Sequence, residues 1–209
     1  MKHTSIILLS GGLDSTVSAT IAVKKTKVLF ALTFDYGQRA AKREILAAKK
    51  ICQVLNIKHR IIKLPFFNEF TKCKLISGKR LSANKLMHLH DVWVPNRNAL
   101  FINIAAGFAE YYRADLIVTG FNFEEAREFP DNRKKFINAI NKSLQLSTLR
   151  NIKVVSYVLN YTKKGIYQLG LKYLAPLQHI YSCYLGGEKM CGKCVSCSRL
   201  RTIAQNFFK

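Results

Sequence analysis

The sequence predicts an α/β fold: a doubly wound, mostly parallel sheet with helices on both faces and a small C-terminal lobe. Three observations carry that expectation. Strand-like and helix-like segments alternate along the chain, a glycine- and serine-rich loop opens the first helix-like segment, and four cysteines crowd into residues 183–197. The strand-like runs are 6–9, 28–33, 59–63, 116–119 and 152–155. Stretches with apolar residues at three- and four-residue spacing fill 15–25, 38–55, 98–112, 132–149 and 163–173. A chain of 209 residues with 49% hydrophobic content fits one domain with a real core, or one domain plus an appendage. The expected division is a main domain over 1–175 and a lobe over 176–209 packed on it.

Sheets of this kind bind ligands beyond the C-terminal ends of their strands, so functional residues should gather on one edge. Segment 10–15 follows the first strand, 35–39 the second and 120–122 the fourth. The stretch 65–95 breaks the rhythm; holding Phe66, Phe67, His88, His90 and Trp93, it reads as a flap or a partner-facing insertion.

Ser10-Gly11-Gly12-Leu13-Asp14-Ser15-Thr16 follows the apolar run at 6–9 directly. Two glycines let the backbone approach an anion, the hydroxyls add donors, and the following helix aims its unpaired N–H groups at the same place. That is a cradle for pyrophosphate and points to ATP. The loop lacks the Gly-x-Gly-x-x-Gly of dinucleotide folds and the Gly-Lys-Ser/Thr of Walker loops; Ser-Gly-Gly-x-Asp-Ser instead resembles the PP-loop of the N-type ATP pyrophosphatases. Asp14, an acid beside phosphates, is expected to cap the helix or to help hold Mg²⁺.

Cys183, Cys191, Cys194 and Cys197 have the spacing C-x7-C-x2-C-x2-C. Four thiols so close suggest one tetrahedral Zn²⁺ with no open position for water, a structural metal; disulfides and an iron–sulfur cluster are the rivals. The five histidines show no metal spacing, and Cys52 and Cys73 read as ordinary thiols. No apolar run approaches the roughly 18 residues that span a bilayer, and residues 1–3 open straight into a strand-like segment, so the expected location is the cytoplasm.

Charge is the anomaly. Thirty-four Lys and Arg against 12 Asp and Glu give a formal net charge of +22. This balance fits a surface for RNA or another anionic partner, but the lysines are scattered rather than gathered in one tail, which favours a solvated surface or compositional drift in an AT-rich genome. Asp14, Asp35, Glu124, Glu125, Glu128, Asp131 and Glu188 all fall in segments that look functional.

Taken together, residues 10–16, Phe-Asp-Tyr-Gly-Gln-Arg (34–39), Val-Pro-Asn-Arg-Asn (94–98), Thr-Gly-Phe-Asn (119–122), Phe-Pro-Asp-Asn (129–132) and Ser-Cys-Tyr-x-Gly-Gly-Glu-x-x-Cys-Gly-x-Cys-x-x-Cys (182–197) resemble the 7-cyano-7-deazaguanine synthase family, QueC. The resemblance implies an ATP-dependent C–N ligase that converts 7-carboxy-7-deazaguanine and ammonia to the 7-cyano base through adenylated intermediates, a step towards queuosine in tRNA. It implies a nucleotide site at Leu9, Ser10, Gly11, Gly12, Leu13, Asp14, Ser15, Thr16, Val17, Ser18 and Ala19, with Ser10, Asp14, Ser15 and Arg97 as catalytic residues. It also implies a homodimer; direct contact with tRNA is not required.

Arg97 and Arg39 offer planar forks that match phosphate or the substrate carboxylate, and Arg97 sits where 95–98 should start a helix. Asp35 and Asp131 could accept from the amine and ring N–H of a guanine-like base, although Asp131 equally suits the N-cap of the next helix. Tyr36, Asn98 and the pair Glu124-Glu125, expected in a loop after the fourth strand, complete the substrate set. Three positions depart from the family's pattern: Lys63 and Val195 stand where Asp is common, and Tyr157 where Pro is usual. The alternatives are a PP-loop enzyme acting on tRNA itself, such as a lysidine synthetase or a thiolase, and a zinc-stabilised RNA-binding protein without catalysis.

Overall fold

The strand β1 (Thr4–Leu8) is an apolar run with buried side chains on both sides, which only a central strand with both faces covered can satisfy. The computed structural model, which describes residues 2–76 and 89–205, places it in the middle of a five-stranded, all-parallel sheet. The order is β3-β2-β1-β4-β5, with β2 (Lys27–Asp35), β3 (His59–Lys63), β4 (Leu116–Thr119) and β5 (Lys153–Ser156).

Alternation along the strands sorts the core into two layers. Ile7, Leu9, Ala31 and Val118 face α1 (Leu13–Lys25) and α2 (Ala41–Val54), meeting Ala19, Ala22, Ala48 and Ile51. Ile6, Phe30, Leu32, Ile117 and Val154 face the opposite way. There they meet Ile102, Ala105, Ala106 and Ala109 of one long helix (Arg97–Tyr111) and Ile137, Ile140 and Leu144 of another (Lys134–Ser147). Helices on both faces of a parallel sheet make the fold doubly wound, as the alternation predicts.

Between β3 and these helices lie two short ones, α3 (Phe67–Phe70) and α4 (Leu89–Val92), so the long ones become α5 (Arg97–Tyr111) and α7 (Lys134–Ser147), with α6 (Phe123–Glu128) between them. The other side of α1 (Leu13, Val17, Ile21) packs on Ile166 of α8 (Lys163–Lys172), Leu200 of α9 (Val195–Ile203) and, between them, Leu177 and Ile180. Among the described residues no helix is long and apolar enough to cross a membrane.

Several local expectations are corrected. The helix expected from 38 starts at Ala41, because the Gln38 side chain is spent on the end of β2: its Oε1 accepts from the Tyr36 amide at 2.9 Å and its Nε2 donates to the Phe34 carbonyl at 3.0 Å. Glu124 and Glu125 lie in helix α6, not a loop; Asn122 Oδ1 accepts from the Glu125 amide at 3.0 Å and caps it. Asp131 is no N-cap. It sits in a single 3₁₀ turn (Pro130–Asn132), and extended Arg133 precedes α7. Asp14 does not cap α1 either, since it lies inside the first turn and Gly12 holds the N-cap position. Of the supposed flap, Phe67 is wholly buried and packs against Tyr36 and Phe101, so it belongs to the core, while Phe66 and Phe70 remain exposed. His88 and the side chain of His90 lie outside the described residues.

Strand β5 ends the sheet, and an edge strand must hide its free amides and carbonyls. Here Asn141 of α7 does so: its Oδ1 accepts from Val154 N–H at 2.7 Å and its Nδ2 donates to the Val154 carbonyl at 3.2 Å. Asn141→Ala is expected to lower unfolding free energy by about 1–2 kcal/mol in urea titrations, with the m-value unchanged.

Candidate active site and cysteine cluster

Gly11 lies at φ 79, and a Cβ there would sit 2.8 Å from the Glu44 carbonyl oxygen and 2.9 Å from Ala47 Cβ. Only glycine lets the loop after β1 turn back this close to α2. On the far side, a Cβ on Gly120 would fall 2.7 Å from the Ser15 amide, so the first turn of α1 rests on the end of β4. Ser15 Oγ lies 3.0 Å from Ser10 Oγ and 3.2 Å from the Gly12 carbonyl, while no side chain caps the N-terminus of α1. The loop thus presents hydroxyls and helix amides together at the C-terminal edge of the sheet, where an anion is favoured.

A cavity of about 280 Å³ opens there. Leu9, Ser10, Gly12, Leu13, Asp14 and Ser15 line it; Gly11, Thr16, Val17, Ser18 and Ala19 do not. Val17 and Ala19 are core residues, Thr16 Oγ1 donates to the Gly12 carbonyl at 2.7 Å, and Ser18 Oγ donates to the Thr119 carbonyl at 2.6 Å. These five hold the loop from behind. Of the expected substrate residues, Tyr36, Arg39, Arg97, Asn98 and Glu125 line the cavity, whereas Asp35, Glu124 and Asp131 lie outside its lining. Asp35 Oδ1 instead accepts from the Gly37 amide at 3.2 Å, and Glu124 Oε1 from the Lys163 amide at 3.1 Å.

The cavity has two polar ends. At one, Arg97 starts α5 and its Nη1 donates to the Tyr36 hydroxyl at 3.3 Å. Burial pushes the Tyr36 hydroxyl up against the pull of Arg97, and pushes the neighbouring Asp131 carboxyl up as well, again opposed by Arg97. Glu44, also raised by burial, accepts from Gln38 Nε2 at 2.8 Å. At the other end, Lys163 Nζ donates to Asp14 Oδ2 and to Glu125 Oε1, the latter at 2.6 Å. Burial raises Asp14 to about 6 despite the facing ammonium. Burial works against the charged form of Lys163, but the two carboxylates outweigh it and hold the amine above its ordinary value. Asp14 Oδ1 and Asn122 Nδ2 are buried without a partner.

Lys163, Glu44 and Arg199 are cavity residues that the sequence does not single out, and Gln38 and Tyr184, which also line it, fall inside quoted motifs without having been given a role. Lys163 carried one usable signal: Thr162 just before it caps α8, its Oγ1 accepting from the Gly165 amide at 3.2 Å, so Lys163 opens the helix that follows the fifth strand. Lys63, by contrast, is an exposed residue ending edge strand β3, opposite Asp35 in register.

The Sγ atoms of Cys183, Cys191, Cys194 and Cys197 lie within 4.8 Å of one another, and Cys191 and Cys197 are 3.8 Å apart. A tetrahedral ion with metal–sulfur bonds of about 2.3 Å needs sulfur pairs about 3.8 Å apart, so the four thiols fit a single metal. The lobe is tied to the loop it supports: the Tyr181 amide donates to the Gly11 carbonyl at 2.8 Å. It also sends Tyr184, Ser196 and Arg199 into the cavity, Arg199 pairing with Glu128.

A Ser-Gly-Gly loop leading from the central strand of a parallel sheet into a helix, with cations and carboxylates facing it, defines a PP-loop α/β protein. Several solved structures share the fold. NMN synthetase from Francisella tularensis superposes with a TM-score of 0.53 at 19% identity, over 91% of this chain and 71% of that one. A 4-thiouridine synthetase–RNA complex with bound ATP gives 0.52 at 21%, over 97% and 50%. The chain belongs to the QueC family: the family model described as queuosine biosynthesis protein QueC matches residues 4–207. Proteins named 7-cyano-7-deazaguanine synthase are similar along nearly their whole length. That of Carboxydothermus hydrogenoformans is 46% identical over 94% of this chain and 96% of its own, and that of Methanocaldococcus jannaschii 43% over 93% and 91%.

A metal held by these four thiols would tie down the segment that bonds Gly11, so treatment with a strong chelator is expected to lower the melting temperature by ~10 °C or more and expose four additional thiols to Ellman's reagent. Calorimetry of treated and untreated protein checks this; an unchanged melting temperature would rule out a structural metal.

Proposed function

We propose that the protein converts 7-carboxy-7-deazaguanine and ammonia, with ATP, to 7-cyano-7-deazaguanine. The observation that carries this is family membership over the full cavity-forming chain, with relatives of that name at 46% identity. A carboxylate resists amines until it has a good leaving group. Its oxygen attacks the α-phosphorus of ATP and pyrophosphate departs; ammonia then displaces AMP to give the amide. A second ATP activates the amide oxygen, and loss of AMP leaves the nitrile, so two ATP are consumed.

In this reading Ser10, Gly12, Ser15 and the N-terminus of α1 hold the pyrophosphate, with electrostatic preorganisation as the large term. Arg97, steadied by Tyr36, grips the substrate carboxylate. Mg²⁺ arriving with ATP would offset triphosphate charge, and Asp14 Oδ1, buried without a partner, is the oxygen that fits it. We assign Zn²⁺ to the four thiols, an ion that takes four sulfurs in closed structural sites, and a cytoplasmic location, where such thiols stay reduced. We further divide the chain into a synthetase domain over 1–175 and a metal-binding lobe over 176–209, and expect a homodimer that draws on exposed Phe66 and Phe70. Action on tRNA itself is the alternative; the U34-tRNA thiolase NcsA from Methanococcus maripaludis, at 17% identity, shares the fold and nothing more specific.

The test is mass spectrometry of the purified protein with 7-carboxy-7-deazaguanine, ammonium, Mg²⁺ and ATP. Nitrile and AMP are expected together in a ratio of about one to two, and Asp14→Ala should cut both by ~100-fold or more. AMP release that depends on added tRNA would replace this reading with a tRNA-modifying one.

A further inference from the structure

Glu44 is a carboxylate of the cavity that the proposed reaction leaves without a task. It stands in the first turn of α2 and lines the cavity. Its Oε2 accepts from Gln38 Nε2 at 2.8 Å, and the Gln38 side chain is itself tied to the end of β2 through the Phe34 carbonyl and the Tyr36 amide. The carboxylate is therefore aimed by the strand, through one intervening side chain. Among the described residues no group donates to Oε1, which leaves one oxygen for a donor that enters with the reactants.

Stability does not account for a carboxylate here. Among the described residues Glu44 forms no ion pair. Burial pushes its carboxyl up, against the pull of Arg97, and Glu44 in turn pushes the Tyr36 hydroxyl up. The three groups thus share the Arg97 end of the cavity. An acid in the first turn of a helix gains from the dipole on the solvated face as well, without the cost of burial.

The chemistry at that end selects the donor. The amine and ring N–H of a guanine-like base lie on its six-membered ring, while the carboxyl is carried by the five-membered ring on the other side. Arg97 grips the carboxyl in the proposed reaction, so a group beside Arg97 faces the reacting carbon and not the donor edge of the base. What must arrive at that carbon is nitrogen. At neutral pH it travels as ammonium, which has N–H donors on every side and no lone pair to attack with.

We infer that Glu44 is the catalytic residue that binds ammonium and takes its proton, releasing ammonia against the acyl adenylate. This rests on the proposed function. An N–H bond of ammonium breaks and its proton passes to Glu44 Oε1; the freed lone pair forms the C–N bond to the acyl carbon. The C–O bond to AMP breaks, its electron pair passing to the phosphate oxygen. The new C–N nitrogen sheds a second proton to the departing AMP phosphate, and Glu44 returns its own to water. Burial makes Glu44 a stronger base than a solvated carboxylate, and the charge of Arg97 favours neutral ammonia over ammonium beside it.

The experiment compares wild type with Glu44→Gln, whose amide oxygen can keep the bond from Gln38. Single turnovers with ATP and 7-carboxy-7-deazaguanine are read in three ways: pyrophosphate release without a nucleophile, amide plus nitrile with ammonium, and hydroxamate with hydroxylamine. Hydroxylamine is neutral at physiological pH and needs no base to free its lone pair. Glu44→Gln is expected to slow the ammonium reaction by ~100-fold or more, and to leave pyrophosphate release and hydroxamate formation within about threefold of wild type. An ammonium reaction within about threefold of wild type overturns the inference. So does hydroxamate formation that falls as far as the amide, since Glu44 then only positions the acid or the loop. If wild type itself releases no pyrophosphate from ATP and the acid, the proposed function fails and takes this inference with it, a result distinct from the other two. Should Glu44→Gln not fold, Glu44→Asp takes its place, keeping the charge but drawing it back from the ammonium. The ratio of amide to hydroxamate rates is then expected to fall by ~10-fold or more, and an unchanged ratio overturns the inference.

Discussion

The loop between β1 and α1 is squeezed between two backbones, and the rest of the molecule is arranged to permit it. On one side Gly11 lies against the carbonyl of Glu44 in α2; on the other Ser15 lies against Gly120 at the end of β4. A methyl group at either glycine would meet backbone, which cannot move aside as a flexible side chain can. That contact fixes where α1 begins relative to β4, and so fixes Asp14 relative to the segment that carries Glu125. It also explains why β1 must be central: only a strand flanked by β2 and β4 can deliver its loop between α2 and the β4 exit. The cysteine lobe closes the arrangement from a third direction through the bond from Tyr181 to Gly11.

The cavity above this loop is built at a cost to stability. Asp14, Glu44 and Tyr36 are buried deeply enough for their ionised forms to be disfavoured, and Asp14 Oδ1 and Asn122 Nδ2 lack partners. A core selected for stability alone would exchange these groups for apolar ones. Sites that break the rules of packing in this way are where function is concentrated. The breakage here is confined to one edge of the sheet, while both helix-covered faces are conventionally packed.

Much of this was legible in the chain. Parallel strands buried on both faces read as plain apolar runs, which is why β1 and β4 stand out, and the Ser-Gly-Gly loop and the four cysteines are local patterns that need no tertiary knowledge. What was not legible came from convergence across the sheet. Lys163 is one of 34 Lys and Arg, and it becomes distinctive only because β5 delivers it beside residues from β1 and β4. Gln38 and Glu44 look like the amphipathic start of α2, yet the first is spent on capping β2 and the second is sealed behind it. Asp131 precedes a helix as a cap should, but Pro130 draws it into a 3₁₀ turn and leaves Arg133 at the junction.

The same contacts bear on the net charge of +22. Of the 12 acids, Asp14, Asp35, Glu44, Glu110, Asp115, Glu124, Glu125, Asp131 and Glu188 each accept a hydrogen bond from a named group. Asp91 pairs with Lys74 at 2.8 Å, and Glu128 with Arg199. Eleven acids, nine and two, are therefore engaged. The acids that this chain carries are those that hold the loop, the helix starts and the cavity wall together, so its few negative charges are spent on contacts of the fold.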